Sequence, residues 1–446
     1  MSVLNVFNWQ GVAVAPASTI LTVSPSWTRL DTLAGARVEE VQIRRGKSDE
    51  FEITGTGTCR VGFNDRTGAV DPTTIDWISR PFAFVVRNPV TGVWHPRFRG
   101  AVDDHHYNLD PSEIKGDVVI EAVDALDFFA NVELAPGLFG DPPPEESAGY
   151  VFFEDTTVTG PKIRIEQGLG NIGWPVGLQS IFTGNVNLLQ TVYSPGESLL
   201  TVFHDAAEAE FPTVANFYID KHGVVCFHGR LARFTPASVA SSATHWDFNT
   251  FTAGAGGVQM RPPYEPSRSR RFIRNAALCY PQKIIVGSNE IPFPVADRPG
   301  QVVLNTTSIA THQRRSWSAE NLLVKSGITS GLSGKDECKT YANYIVRNYH
   351  TPHPRIEQIT FKALRPDDAR GPALWNLLCK VDISDQFTIT KPHPGGGGLS
   401  AVVYFVEGIT ETWRPLVRDL DTGYPYCEMT LDLSPAAYWT TQPSLP

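Results

Sequence analysis

The strongest constraint on this chain is a run of two-residue alternation near its C-terminal end. Cys427, Met429, Leu431 and Leu433 alternate with Glu428, Thr430 and Asp432. Successive side chains of a strand point to opposite faces, so this pattern specifies a strand with one buried and one wet face. Upstream, Ser400–Thr412 carries Val402, Val403, Phe405, Val406 and Ile409, and Leu378–Thr390 carries Val381, Ile383, Phe387 and Ile389. The region predicts three strands, with the glycine run Gly395–Gly398 as a hairpin tip.

An earlier region reads the same way. Strands are expected at Val38–Arg44, Glu50–Ile53, Gly57–Asn64, Pro81–Arg87, Val93–Val102 and Val118–Val123. Asn64–Gly68 is a turn of residues that tolerate left-handed backbone, and Asn88–Gly92 is a hairpin loop. Asp124–Ala130 reads as a short helix. The two regions echo each other. In both, a Phe-bearing strand runs into a Pro/Gly hairpin, and an aromatic-rich strand then ends near a glycine. Gly100 and Asp124 are 24 residues apart, and so are Gly408 and Asp432. If the echo is a repeat, one chain carries two copies of a small barrel.

Between these regions the pattern changes. Gly140–Gly149 is a Pro-rich acidic loop, and Pro161–Gly168 opens a short helix. Ser194, Pro195 and Glu197 form a helix-start signature, with Leu199, Leu200, Phe203, Ala207 and Phe211 at helical spacing. Two short strands flank the turn Asp220–Gly223. A Ser/Ala/Gly/Pro-rich connection covers 235–270, and strands follow at Ile273–Val286 and Gln301–Leu304. The clearest helix is Lys335–Tyr349, where Cys338, Tyr341, Ala342, Ile345 and Tyr349 share one face. Thr351–Pro354 stops it, and Arg355–Leu364 restarts a strand. The fold class is mainly β with α+β insertions. The expected units are an arm at 1–36, a first β-barrel at 37–130, an inserted α/β domain at 131–234, a β-rich connecting domain at 235–352 and a second barrel at 353–446. Residues 1–36 read as an extended arm or short strands; Trp9 and Trp27 have little local core, so an arm is expected to reach a neighbouring subunit.

Composition narrows the function. Gly (37) and Pro (34) make up about one residue in six, which favours turns and short strands. The formal charge of −9 argues against a protein that coats nucleic acid, which needs clustered Lys and Arg. The six cysteines are dispersed without a CxxC pair, and buried free thiols from a reducing compartment are expected. MSVLNVFNWQ lacks the basic and apolar regions of a signal peptide. No apolar run approaches the ~18 residues of a membrane span.

Catalytic signatures fail on inspection. Ser330–Asp336 resembles a phosphate loop, but Asp336 stands where Ser or Thr must follow the lysine, and the glycine spacing is wrong. The expected role is a loop capping the following helix. At most two of Asp103-Asp104-His105-His106 can converge from one strand, because neighbours face opposite ways, and a solvated turn is expected there. His350 and His353 lack a third ligand, and the glycine run precedes no helix that would make an anion site. No catalytic, cofactor or metal residue is assigned. The chain reads as an assembly part, not an enzyme.

Several segments, in order, resemble a known family. They are Val41–Gly46 with Gly57–Asp71, the hairpin carrying Asp220, Gly223, Phe227 and Arg230, the segment Tyr341–Ile359, and the C-terminal Asp382–Asp385, Phe405–Ile409 and Met429–Pro435. They are similar to the minor tail proteins that form the tail-tip hub of long-tailed actinobacteriophages, which are similar to the central baseplate hub of contractile phages. The resemblance implies two tail-tube-like β-barrels per chain and a homotrimer presenting six barrels around a DNA channel. The net charge of −9 is consistent with an acidic lining, which is expected here. It implies a virion component at the distal tail tip, assembled in the bacterial host cytoplasm. Its partners would be the distal tail ring or tail tube protein, the tape measure protein and other minor tail or fibre proteins, with DNA only in transit. No cofactor is implied. The chain lacks a lysozyme or peptidase addition. Other readings are a distal tail ring protein, a receptor-binding tip that would expose aromatic platforms among the ten Trp, or a cell-wall hydrolase.

Overall fold

The computed structural model describes residues 6–11, 27–30, 36–65, 67–73, 76–109, 116–134, 150–152, 160–230, 245–249, 266–327, 332–353, 355–392, 399–418 and 425–435. The loop 140–149, most of 235–265 and the glycine run 395–398 lie outside them, as do Arg66, Ser330 and Pro354.

One large curled sheet of twelve strands organises the molecule. Its strands are β1 (Val6–Gly11), β2 (Trp27–Arg29), β3 (Ala36–Gly46), β4 (Gly55–Asp65), β5 (Pro81–Arg87), β6 (Trp94–Leu109), β7 (Gly116–Val123), β8 (His245–Asn249), β9 (Gln358–Lys362), β10 (Gln386–Pro392), β11 (Leu399–Arg418) and β12 (Pro425–Pro435). The helices are α1 (Ala125–Asn131), α2 (Gly160–Asn171), α3 (Leu199–Glu210), α4 (Thr306–His312), α5 (Gly334–Tyr349) and α6 (Gly371–Lys380).

The order across the sheet makes the sequence echo a structural repeat. In the first β unit, β4, β7, β6, β5 and β1 lie side by side, and in the second β9, β12, β11, β10 and β8 do the same. All these neighbours are antiparallel except β8 and β10. Gly408 pairs directly with Asp432, whereas Ala101 pairs with Val123 at the end of β7 and Asp124 lies just beyond it as the cap of α1. Both glycines sit where backbones crowd. A Cβ on Gly100 would lie 2.0 Å from the Val123 carbonyl oxygen, and one on Gly408 would lie 2.5 Å from that of Lys47.

The two units are joined edge to edge. The first part of the 20-residue strand β11 pairs with β10, and its second part, Gly408–Trp413, pairs with β3 on the same side. A register shift between Val406 and Gly408 marks the handover from one partner to the next. Beneath the shared sheet lies one core. It holds Val41, Ile43, Val61, Phe84, Ile409, Trp413 and Leu431 together with α6. Trp375 of α6 lies 6.4 Å from Trp413, which is 6.2 Å from Phe84, all as ring centroids. A second core gathers α1, α2, α3 and α5 with the short strands of the middle of the chain.

Several expectations need correction. The arm's described parts, β1 and β2, belong to the chain's own sheet, since β1 pairs with β5 and β2 with β1. Leu378–Lys380 is helical: Pro372 starts α6, and Leu374, Trp375, Leu377 and Leu378 form its buried face. The apolar pairs of that face break two-residue alternation. Glu50–Ile53 is a turn, and Ser316–Leu322 is an additional strand. The cap of α3 is Ser198, not Ser194, because Gly196 adopts a left-handed φ of +86° that ends any helix begun earlier. All six cysteines are free and buried, as expected. Among the described residues, no helix is long and apolar enough to cross a membrane.

Gly100→Ala and Gly408→Ala should each destabilise the fold by about 1–3 kcal/mol, because backbone rather than a flexible side chain blocks the new methyl group. Urea denaturation of the two variants against a surface control such as Thr360→Ala checks this.

Candidate functional site

Two features stand out where the β units meet: a broad polar sheet face and a buried ionic lock behind it. The face follows directly from alternation. The registers place Lys362, Glu428, Thr412, Gln42, Arg60, Glu121 and Asp104 in one row across β9, β12, β11, β3, β4, β7 and β6. A second row holds Thr360, Thr430, Thr410, Arg44 and Thr58. These side chains are exposed or half-buried. Three of the cations on the face sit beside carboxylates: Arg60 lies 3.2 Å from Glu121, Arg414 2.9 Å from Glu40 and Lys362 3.8 Å from Glu428. Exposed pairs of this kind add at most about 1 kcal/mol each. Their effect is to remove net positive charge from a wide hydrophilic surface. The face is charge-paired, not uniformly acidic.

The lock is Arg97 and Glu411, both fully buried. A register shift between Phe84 and Val85 leaves Arg97 in a bulge of β6, which turns its side chain inward beside the buried Phe98. Its Nε donates to both Glu411 carboxylate oxygens at 3.1 Å, and Nη2 donates to Oε1 at 2.6 Å. Nη1 donates to the carbonyls of Cys379 and Val381 at 3.2 and 2.9 Å. These carbonyls lie at the C-terminal end of α6, where the helix dipole favours a cation. Glu411 also accepts from Trp413 Nε1 at 2.8 Å. The pair therefore ties β6 of the first unit to β11 of the second, with α6 between them.

Further ion pairs repeat the theme. Arg45 of β3 lies 2.9 Å from Asp382, and Lys47 lies 3.7 Å from Glu407. Arg355 grips Glu50 at 2.8 Å. Burial alone would raise the Asp382 carboxyl, but Arg45 and Lys221 outweigh it and hold it down at about 2. The Asp220–Gly223 turn docks here, its Lys221 amide donating to Asp382 at 3.0 Å. Asp124 caps α1, accepting from the Leu126 and Gly57 amides at 2.9 Å each. Burial nevertheless pushes its carboxyl up to about 7.

The residues singled out in the sequence have structural places. His105 stacks on Trp77 at 4.7 Å and meets the Val70 carbonyl, while His106 faces Asp104 across 3.1 Å. His350 Nδ1 meets the carbonyls that end α5, and His353 contacts Thr351. Ser333 caps α5. Arg230 bridges α3 and α5, pairing with Glu210 at 3.3 Å and Glu337 at 2.5 Å. Among the described residues, no group of three or more His, Cys, Asp or Glu side chains is placed to hold a metal ion. The Arg97–Glu411 lock escaped the sequence reading. A signal was present, since Glu411 shares its strand face with Ile409 and Trp413 and so had to be buried and paired.

Arg97→Met, which leaves Glu411 buried and unpaired, should cost about 3–5 kcal/mol, and Arg97→Met with Glu411→Leu should recover most of it. Denaturant titration of the single and double variants measures both. Asp124 makes a pH prediction. The folded protein keeps its proton up to about pH 7, whereas the unfolded chain releases it near ~3.9. Its contribution to stability is fully present below about pH 4 and is lost as the pH rises through about 7. Asp124→Asn should flatten that fall, as read from thermal melts across the pH range.

No family model matches the sequence, and no curated protein matches it. Solved structures do match. The tail protein from Neisseria meningitidis MC58 superposes over 98% of this chain and 98% of its own, with a TM-score of 0.52 at 11% identity. The 43 kDa tail protein of prophage MuSo2 from Shewanella oneidensis does so over 98% and 99%, with a TM-score of 0.51 at 9% identity. The E. coli c3393 protein, a component of the type VI secretion system, is more distant at a TM-score of 0.41 over 90% of this chain and 74% of its own, and no argument rests on it. Along nearly its whole length, the chain has the fold of phage tail proteins.

Proposed function

We propose that the chain is a structural component of a phage tail and that three copies form the hub at its distal end. The observation that carries this reading is the internal repeat within a fold that tail proteins share end to end. Three chains with two equivalent β units each offer six units. Such a ring meets a sixfold tail tube or distal tail ring on one side and threefold tip proteins on the other.

The polar face supplies the wall of the ring. Its main row ends in Lys362 on β9 and Asp104 on β6, which are opposite charges at opposite margins of the sheet. At those levels, β9 and β6 are outer strands among the described residues. Head-to-tail contact between complementary margins closes into a ring where the rotation per subunit is a third of a turn. A charge-paired hydrophilic wall gives passing DNA little to adhere to, since sticking requires unpaired Lys and Arg. In this reading, residues 37–130 and 353–446 form the ring together with β1 and β8, which belong to the same sheet, and the rest of 131–352 stands outside it. The partners are the tail tube or distal tail ring protein, the tape measure protein and other tip proteins. The role is assembly without catalysis, in a tail-tip hub like that of actinobacteriophages, built in the host cytoplasm.

Native mass spectrometry tests the proposal. It should give a species of three times the 49.1 kDa chain mass. A stable hexamer would support a distal tail ring instead, and a monomer at all concentrations would overturn the hub.

A further inference from the structure

Away from the polar face, a cavity of 250 Å³ lies between the 47–54 loop joining β3 to β4, the C-terminal part of α3 with its following turn, and the strand Ser316–Leu322. Its aromatic walls are Phe51, Phe211, Phe217 and Trp317. Two of its lining side chains are unsatisfied: His204 Nε2 and Thr213 Oγ1 are buried without a hydrogen-bond partner. Thr213 also has a φ of +74°, a left-handed conformation that a β-branched residue rarely adopts. Such strain tends to mark ligand clamps. Three carboxylates, Glu52, Glu208 and Glu320, complete the lining. Lys47, the lining cation, is engaged by Glu407.

We propose that this cavity binds a guanidinium group, the side-chain head of an arginine on a partner polypeptide. A guanidinium carries five N–H donors and no acceptor. The atoms waiting in the cavity can all accept: the Thr213 hydroxyl oxygen, the Glu208 carboxylate and the imidazole Nε2 of His204. Burial holds that imidazole neutral by pushing it down to about 4. Phe51 and Phe211 already carry Arg274 and Arg230 at 4.5 and 5.5 Å from their ring centroids, and Phe217 and Trp317 are the walls offered to a planar delocalised cation, which stacks on rings where a compact ammonium stays hydrated. The 250 Å³ volume has room for the head and its aliphatic stem.

The test is calorimetric titration of the full chain with N-acetyl-L-arginine methylamide, beside the neutral citrulline counterpart. The arginine probe should bind at the millimolar level and the citrulline probe at least about tenfold more weakly, the loss of one charge-assisted bond. Glu208→Gln, at an exposed position, should weaken the arginine probe similarly without altering the melting temperature, and His204→Phe should abolish binding. Equal binding of both probes, no binding, or binding indifferent to Glu208→Gln would overturn the assignment. None of these outcomes bears on the oligomeric state, so failure here leaves the tail reading standing.

Discussion

The structure depends on an ion pair placed where charges are costly. Arg97 and Glu411 are both fully buried in the core under the sheet. Taking either one alone out of water would cost several kcal/mol, and the pair is tolerable only because nearly every donor and acceptor is used. Glu411 takes three bonds from Arg97, and the end of α6 takes two more. Hydrophobic contacts between two sheets can slide. A forked guanidinium with two kinds of acceptor cannot, so the lock specifies how the two β units sit against each other.

That fixed relation is what a ring wall requires. Strand β11 passes from its own unit's β10 to β3 of the other unit. The wet side chains of both units therefore fall in common rows. Behind this wall, Arg45, Asp382 and the Asp220–Gly223 turn anchor the inserted middle of the chain. Continuity of backbone and charge pairing thus hold the two units and the inserted segments in one fixed arrangement.

Much of this was legible in the sequence. Alternation at Cys427–Leu433 correctly assigned buried and wet faces. The equal glycine-to-aspartate spacing pointed to a repeat that the strand order bears out. What escaped detection was non-local. Alternation does not reveal that β11 changes partners halfway along, or that β1 joins the sheet at β5. Helix α6 was misread because Val381, Ile383, Phe387 and Ile389 extended a strand pattern backwards over Leu378. The bulge that aims Arg97 inward leaves no trace in composition, since one extra residue in a strand looks like any other. The cavity at His204 was invisible for the same reason. Its walls come from segments more than a hundred residues apart.

The proposed threefold ring has a continuous polar sheet face as its wall, and a cryo-electron microscopy map of the assembled protein tests it directly. Such a ring would show three copies around an open channel, with Gln42, Arg60, Thr412 and Glu428 facing the lumen. A map in which these residues face outward, or in which the two β units of a chain are not neighbours around one channel, would contradict it.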